Sequence, residues 1–135
     1  MQSLDTKNNT MLLSHRIAEQ TLSLRYEDVP EGVWDYLKKC ILDAIGIAFA
    51  SRTYSFADKA LASIELLGSK GAATIIGQSR TVSVRDAAMI NGLLIHGLDF
   101  DDTHLASVVH CSASAFSAAL ALAERKEESG KNLLF

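Results

Sequence analysis

Seventeen consecutive residues, His96 to Ser112, hold three of the four histidines of the chain together with Asp99, Asp101 and Asp102. Imidazoles titrate near neutral pH and carboxylates are anionic there, so the segment combines the two group types that proton transfer needs. Aspartates and a threonine are also common in turns and helix caps, and a structural role competes with the chemical one at each position. His110 stands just before a predicted helix, whose partly positive N-terminus disfavours an imidazolium and leaves a neutral ring available as a base. The three aspartates cannot all face one cavity, because adjacent side chains diverge. In an extended segment Asp99, Asp101 and Thr103 share a side; in a helical turn Asp99, Asp102 and Thr103 do. Asp99 and Thr103 belong to both sets, which leaves Asp101 and Asp102 to cap or brace the loop. His96 and His104 can orient neighbours or pair with the aspartates. His104 joins Asp99 and Thr103 as a candidate substrate-binding residue, whereas His96, ending a predicted helix, reads as structural.

Apolar spacing supplies the elements that position this segment. Leu13, Ile17 and Leu24 recur near helical spacing after candidate caps at Asn8 to Thr10, which predicts a helix over about 10–24. Pro30 and Glu31 open a second helix. Along it Trp34, Leu37, Ile41, Ala44, Ile45 and Ala48 fall at steps of three and four, and its C-terminal half reads as buried nearly all round. Phe56, Ala60, Ile64 and Leu67 mark a third helix closed by Gly68. The run AATII between Gly71 and Gly77 reads as one isolated strand. Ser83 and Asp86 resemble a capping box before a fourth helix over 84–96. Ala113, Phe116, Leu120 and Ala123 predict a fifth helix over about 112–125, with Ser114 and Ser117 on a different stripe. The fold class is therefore all-α, a bundle-like set of helices with at most one short strand.

Composition narrows the classes. With 48% apolar and 21% charged residues and a single proline, the 135-residue chain fits one globular helical domain. Thirteen basic against 16 acidic side chains leave a formal net charge of −3 with no long block of either sign, which argues against nucleic acid or an anionic membrane as partner. The opening residues MQSLDTKNNT lack a secretion-signal layout, and the longest apolar stretch, 41–50, is interrupted by Asp43 and is about half of what a bilayer requires. Cys40 and Cys111 show no zinc or redox spacing, so free thiols and a reducing, cytoplasmic location are expected. Cys40 reads as a core residue. A catalytic thiolate at Cys111 is not expected, since sequence neighbours rarely form a nucleophile and base pair.

The stretch NGLLIHGLDFDDTHLASVVHCSASAFSAALALAE, residues 91–124, resembles the MmgE/PrpD family, with its Asn-Gly, His, Leu-Asp-Phe-Asp-Asp-Thr, His-Pro-Ser-like triplet and alanine-rich helix. YEDVPEGVWDYLKKCILDAIGIAFA and GAATIIGQSRTVSVRDAAMING add to the likeness, which covers nearly the whole chain from about residue 10. The resemblance implies a large helical domain joined to a smaller α/β domain, usually in a homodimer, with the active site in the cleft between domains. It implies no metal, flavin or iron-sulfur cofactor. Substrates would be small di- or tricarboxylates, and the reactions (dehydration, decarboxylation or epimerisation) share removal or delivery of a proton beside a carboxylate. By the same resemblance Asp99 and Thr103 line the substrate pocket and His110 transfers the proton. Cys111 stands where the family pattern has proline, so the backbone after His110 is less fixed. Residues 1–135 then correspond to part of the helical domain, the α/β domain being absent, and NLLF at the end begins an element with no room to finish.

Two other readings follow from the same residues. Asp99, Asp101 and Thr103 also spell the Asp-x-Asp-x-Thr signature of haloacid-dehalogenase-type phosphotransferases, which would need LLIHGL to be a strand, Asp99 a nucleophile, Asp101 an acid/base, and bound magnesium. The position of the motif, about 98 residues into the chain, argues against that. Alternatively the chain is a non-catalytic helical module that pairs with a homologue through exposed apolar faces.

Overall fold

The computed structural model describes residues 11–135; the predicted caps at Asn8 to Thr10 and the polar segment MQSLDTKNNT lie outside the described residues. Among the described residues the chain forms helices α1 (Leu13–Ser23), α2 (Glu31–Ser51), α3 (Ser55–Leu67), α4 (Val84–His96), α5 (Cys111–Lys126) and α6 (Gly130–Leu134), with a 3-10 turn at Tyr26–Asp28. The mainly helical class is as the sequence predicts. The extended residues, however, form two antiparallel hairpins rather than one isolated strand: β1 (Ala73–Thr74) with β2 (Thr81–Val82), and β3 (Thr103–His104) with β4 (Val109–His110). Each strand is two residues long and meets its partner across a short loop, which leaves too little periodicity for a sequence pattern to register.

The core forms around α4. Ala87, Ile90, Leu94 and Ile95 are fully buried, at the three- and four-residue steps of one helical face. Burying each of the larger aliphatic side chains stabilises the fold by about 1.5–3 kcal/mol relative to exposure. Helix α5 lies alongside with the small residues Ala113, Ser117 and Ala121. Gly92 permits that approach, since a Cβ there would come within 2.9 Å of the Ala113 carbonyl oxygen. Ser117 is itself buried, so the polar stripe suggested by the sequence is in part an interface stripe that only a small side chain fits.

Polar contacts fix both ends of α4. At its start the Ser83 hydroxyl accepts from Asp86 N at 3.2 Å, which is half of the predicted capping box. The Asp86 carboxylate reaches past Ser83 to accept from the Ser69 N–H at 2.8 Å, tying the helix to the segment after α3. Midway, the Asn91 side chain accepts from Ile76 N and donates to Thr74 O, bracing the first hairpin. The Ser51 hydroxyl donates to Leu94 O at 2.5 Å and fastens the end of α2 to α4.

Helix α2 departs from its predicted burial. Trp34, Ala44, Ile47, Ala48 and Ser51 are buried, but Leu42 and Phe49 remain more than half exposed, so the C-terminal half packs on one face only. Composition alone suggested burial all round, whereas the neighbours α4 and α5 occupy one side of the helix. Helix α1 buries no residue. No described helix is long and apolar enough to cross a membrane.

Candidate functional site

The candidate residues lie on the connection between α4 and α5. After α4 ends at His96, Gly97 packs where any Cβ would collide with the Phe56 ring. Asp99 then takes a left-handed conformation, φ 57°, with its N–H bonded to His96 O at 2.8 Å, so the chain turns back toward the helix it has just left. Aspartate tolerates that conformation better than most residues. Beyond the turn the chain is extended, and the antiparallel register sets Thr103 opposite His110 and His104 opposite Val109. The grouping matches the extended set, since Asp99, Asp101 and Thr103 surround His110 and Asp102 faces elsewhere, but Asp99 reaches it from a left-handed turn and only Thr103 lies in the strand.

His110 is the N-cap residue of α5, yet its side chain makes no capping bond. Asp102 supplies the cap instead, its Oδ1 accepting from Ser112 N at 3.0 Å, where a carboxylate also suits the helix dipole. The imidazole is thereby left for other contacts. Its Nδ1 lies 3.2 Å from Asp101 Oδ1, 3.3 Å from Asp101 O and 3.4 Å from Thr103 Oγ1. The Thr103 hydroxyl donates to Asp101 O at 3.2 Å and so offers its lone pairs to the ring. An ionised carboxylate and a carbonyl can only accept, so Nδ1 carries the hydrogen and, in the neutral ring, Nε2 carries the lone pair. Nε2 faces Asp99 Oδ1 at 3.6 Å, beyond a hydrogen bond, and Asp99 is largely exposed.

Asp101 and His96 complete the group. The Asp101 side chain is 1% exposed, and its Oδ1 also lies 3.1 Å from His96 Nδ1, so one carboxylate oxygen faces two imidazoles whose centroids are 5.0 Å apart. Its Oδ2 is buried with no hydrogen-bond partner among the described residues. Sequence reading left Asp101 as a possible brace and His96 as structural; the alternation of Asp99, Asp101 and Thr103 was the signal that could have singled out Asp101. His96, Asp99, Asp101 and His110 also each offer one ligand-type atom within 4.8 Å of the others, a mixed nitrogen and oxygen set compatible by type with a divalent cation.

His104 is not brought into this group. Its Nδ1 pairs with Ser107 Oγ at 2.6 Å, and with Asp102 and Thr103 it borders a groove of about 1060 Å³ between α2 and α5. Cys40 and Cys111 border the same groove as free thiols; Cys40 is half-buried at this edge rather than sealed in the core. His96 and His110 instead line a smaller, open concavity of about 530 Å³ with Gly92 and Ala113. The larger hollow is mainly apolar and its titratable residues are dispersed along it, whereas the close group of His96 and His110 borders the smaller one. The phosphotransferase reading fails on local structure, because residues 93–96 of LLIHGL close helix α4 and form no strand.

Residues 15–135 match the MmgE/PrpD N-terminal domain. The chain is 26% identical over 132 residues to a cis-aconitate decarboxylase of Aspergillus terreus, covering 98% of this chain and 27% of that protein. It is 28% identical over 101 residues to the cis-aconitate decarboxylase-like protein oryM of Aspergillus oryzae, covering 75% of this chain and 21% of that protein. The chain thus spans about a quarter of the length of the curated relatives it matches.

Proposed function

The chain belongs to the MmgE/PrpD family, and from that premise we propose that it supplies the proton-transferring part of a lyase-type site acting on a small di- or tricarboxylate. The observation that carries the reading is the His110 ring, held at Nδ1 by acceptors and open at Nε2 beside Asp99. A carbon beside a carboxylate is weakly acidic, so the reaction depends on a base or acid placed at that carbon and on stabilising the charge that develops. In the abstracting direction Nε2 takes the proton. In a decarboxylation the ring first takes a proton from solvent at Nε2; the bond to the departing carboxylate then breaks, carbon dioxide leaves, the electron pair passes to a carbon beside a remaining carboxylate, and that carbon receives the proton from the imidazolium Nε2–H. Thr103 and Asp99 flank the ring on opposite edges, where a hydroxyl and a carboxylate can fix a substrate oxygen and a neighbouring donor.

The names of the relatives favour decarboxylation of a cis-aconitate-like tricarboxylate as the specific reaction. The concavity at His110 is open, and in this reading a second lobe closes it and brings the cations that neutralise the substrate carboxylates. The test is a turnover assay of the full chain with cis-aconitate, 2-methylcitrate and iminodisuccinate, comparing the native protein with His110→Ala. Loss of kcat by roughly a hundredfold or more in a variant with native circular dichroism is the expected outcome. Turnover by that variant within threefold of native removes His110 from the mechanism.

A further inference from the structure

We propose that Asp101 is a positioning residue of this site: it holds His110 in the tautomer that carries hydrogen on Nδ1 and presents the Nε2 lone pair, with His96 bracing the same carboxylate oxygen. The inference rests on the reading of His110 as the proton-transfer group. It starts from an asymmetry in how the carboxylate is used. Oδ1 faces two ring nitrogens at 3.1 and 3.2 Å, while Oδ2 is sealed with no partner among the described residues. A buried carboxylate kept only for stability is ordinarily satisfied at both oxygens, because an unsatisfied buried acceptor loses its bonds to water and gains none in return. A group left in this state in a cleft of titratable side chains is a functional candidate.

Geometry assigns the roles. The backbone carbonyl of Asp101 lies 3.3 Å from the same Nδ1, so two acceptors of one residue converge on one ring nitrogen and leave it no other role than donor. His96, at the last turn of α4, approaches Asp101 Oδ1 from the opposite helix at an interplanar angle of 64° to His110. The carboxylate is therefore clamped between the ends of the two helices that form the walls of the smaller concavity. When Nε2 has taken a proton, the imidazolium sits beside this buried negative charge, where attraction is stronger than in water.

The test uses Asp101→Asn, which keeps the shape, exchanges one carboxylate acceptor for an amide donor and leaves the backbone carbonyl as the remaining Asp101 main-chain acceptor at Nδ1, together with Asp101→Glu and His96→Gln. Nitrogen-15 spectra of histidine-labelled full chain report the tautomer directly. Native His110 is expected as the Nδ1–H form and Asp101→Asn with a measurably larger share of the Nε2–H form, with kcat lower by roughly a hundredfold or more and KM within threefold, by analogy with the aspartate of a hydrolase triad. Asp101→Glu should restore the Nδ1–H signature and part of kcat, and His96→Gln should cost about tenfold or less. An unchanged tautomer in Asp101→Asn overturns the proposal even if activity falls, because the loss is then structural. Micromolar or tighter binding of Zn²⁺ to the native chain with His110 ligating through Nδ1 in the same spectra overturns it as well, since a ligating Nδ1 cannot carry the hydrogen. If His110→Ala keeps its turnover while Asp101→Asn still shifts the tautomer, the functional reading fails and the positioning role survives.

Discussion

The two ends of α4 each hold a buried carboxylate, and they use it in opposite ways. At the N-terminal end Asp86 is 2% exposed and its oxygens are fully engaged: Ser69 N and Oγ reach one, and the Arg85 guanidinium reaches the other, with its NH2 nitrogen at 2.7 Å. The hydrogen bond from the Ser69 N–H, aided by those from Arg85 and Ser83, lowers its pKa from the ordinary 3.8 to about 2 against the opposing effect of burial. At the C-terminal end Asp101 is equally buried but faces two imidazoles with one oxygen and leaves the other without a partner among the described residues. Full satisfaction marks a carboxylate that fastens the fold. An unpartnered oxygen on a carboxylate wedged between two imidazoles is the arrangement on which the positioning role of Asp101 is proposed.

If that contrast is right, the two sites separate under mutation. Asp86→Ala should lower the unfolding free energy by about 1.5–3 kcal/mol, because it removes the charge-assisted bonds that a buried carboxylate makes to Ser69 and Arg85. It should leave kcat of the folded fraction within threefold of native. The pH dependence sharpens this. Because the folded-state pKa lies below the unfolded value, the unfolded chain binds more protons between the two. The contribution of Asp86 is therefore complete above about pH 4 and is lost as the pH falls toward about 2. Denaturant titrations at stepped pH should show this loss in the native protein and a flatter profile in Asp86→Ala. Equal acid sensitivity in both proteins would place the titrating group elsewhere and dissolve the contrast.

Gly92, between the two ends, tests whether the C-terminal group depends on helix spacing. A Cβ at this position meets the Ala113 carbonyl oxygen, which is backbone and cannot rotate away, so Gly92→Ala should separate α4 from α5. Overpacking of this kind costs about 1–3 kcal/mol, partly offset by the better helix propensity of alanine. Since His96 is on α4 and His110 caps α5, the variant should also lengthen the paths from both rings to Asp101 and lower kcat, unlike Asp86→Ala. A variant that loses stability with unchanged kcat would show that the hairpin alone sets the geometry.

Helices α1 to α5 were legible in the sequence because each carries apolar residues at steps of three and four, and α4 was bounded at both ends by Ser83 and His96, whereas the five residues of α6 are too few to show a period. Asp99, Thr103 and His110 could be singled out by residue type and position, and they do assemble. Their assembly depends on a hairpin with two paired residues per strand, whose register no periodicity encodes. The importance of Asp101 was hidden for a related reason. Its partner His96 lies five residues back and is reached only through the left-handed turn at Asp99, a backbone conformation that no residue pattern announces. His104 has the same side-chain chemistry as His110 and ends on the other side of the same hairpin, because successive residues of a strand alternate.

The smallest effect concerns the loop of that hairpin. Val108 has φ 52°, a left-handed conformation that a β-branched residue adopts only at a cost of about 1–2 kcal/mol, and its side chain is 77% exposed, so no burial offsets the strain. The conformation persists because Ser107 N and Val108 N both bond to His104 O, closing the loop between the strands. Val108→Gly relieves the strain while giving the unfolded chain more freedom, and the net gain should be about 0.5–1 kcal/mol in chemical denaturation. The kinetic result carries more information than the stability. Strain held in a loop two residues before His110 either serves to aim the ring or is merely tolerated by the loop closure. With Asp101 and Thr103 already fixing the imidazole from the other edge, glycine at 108 should leave kcat within threefold. A fall in kcat beyond tenfold in a stabilised variant would mean that the loop, and not the buried carboxylate, aims His110, and the difference between the two ends of α4 would then lie in backbone strain rather than in charge.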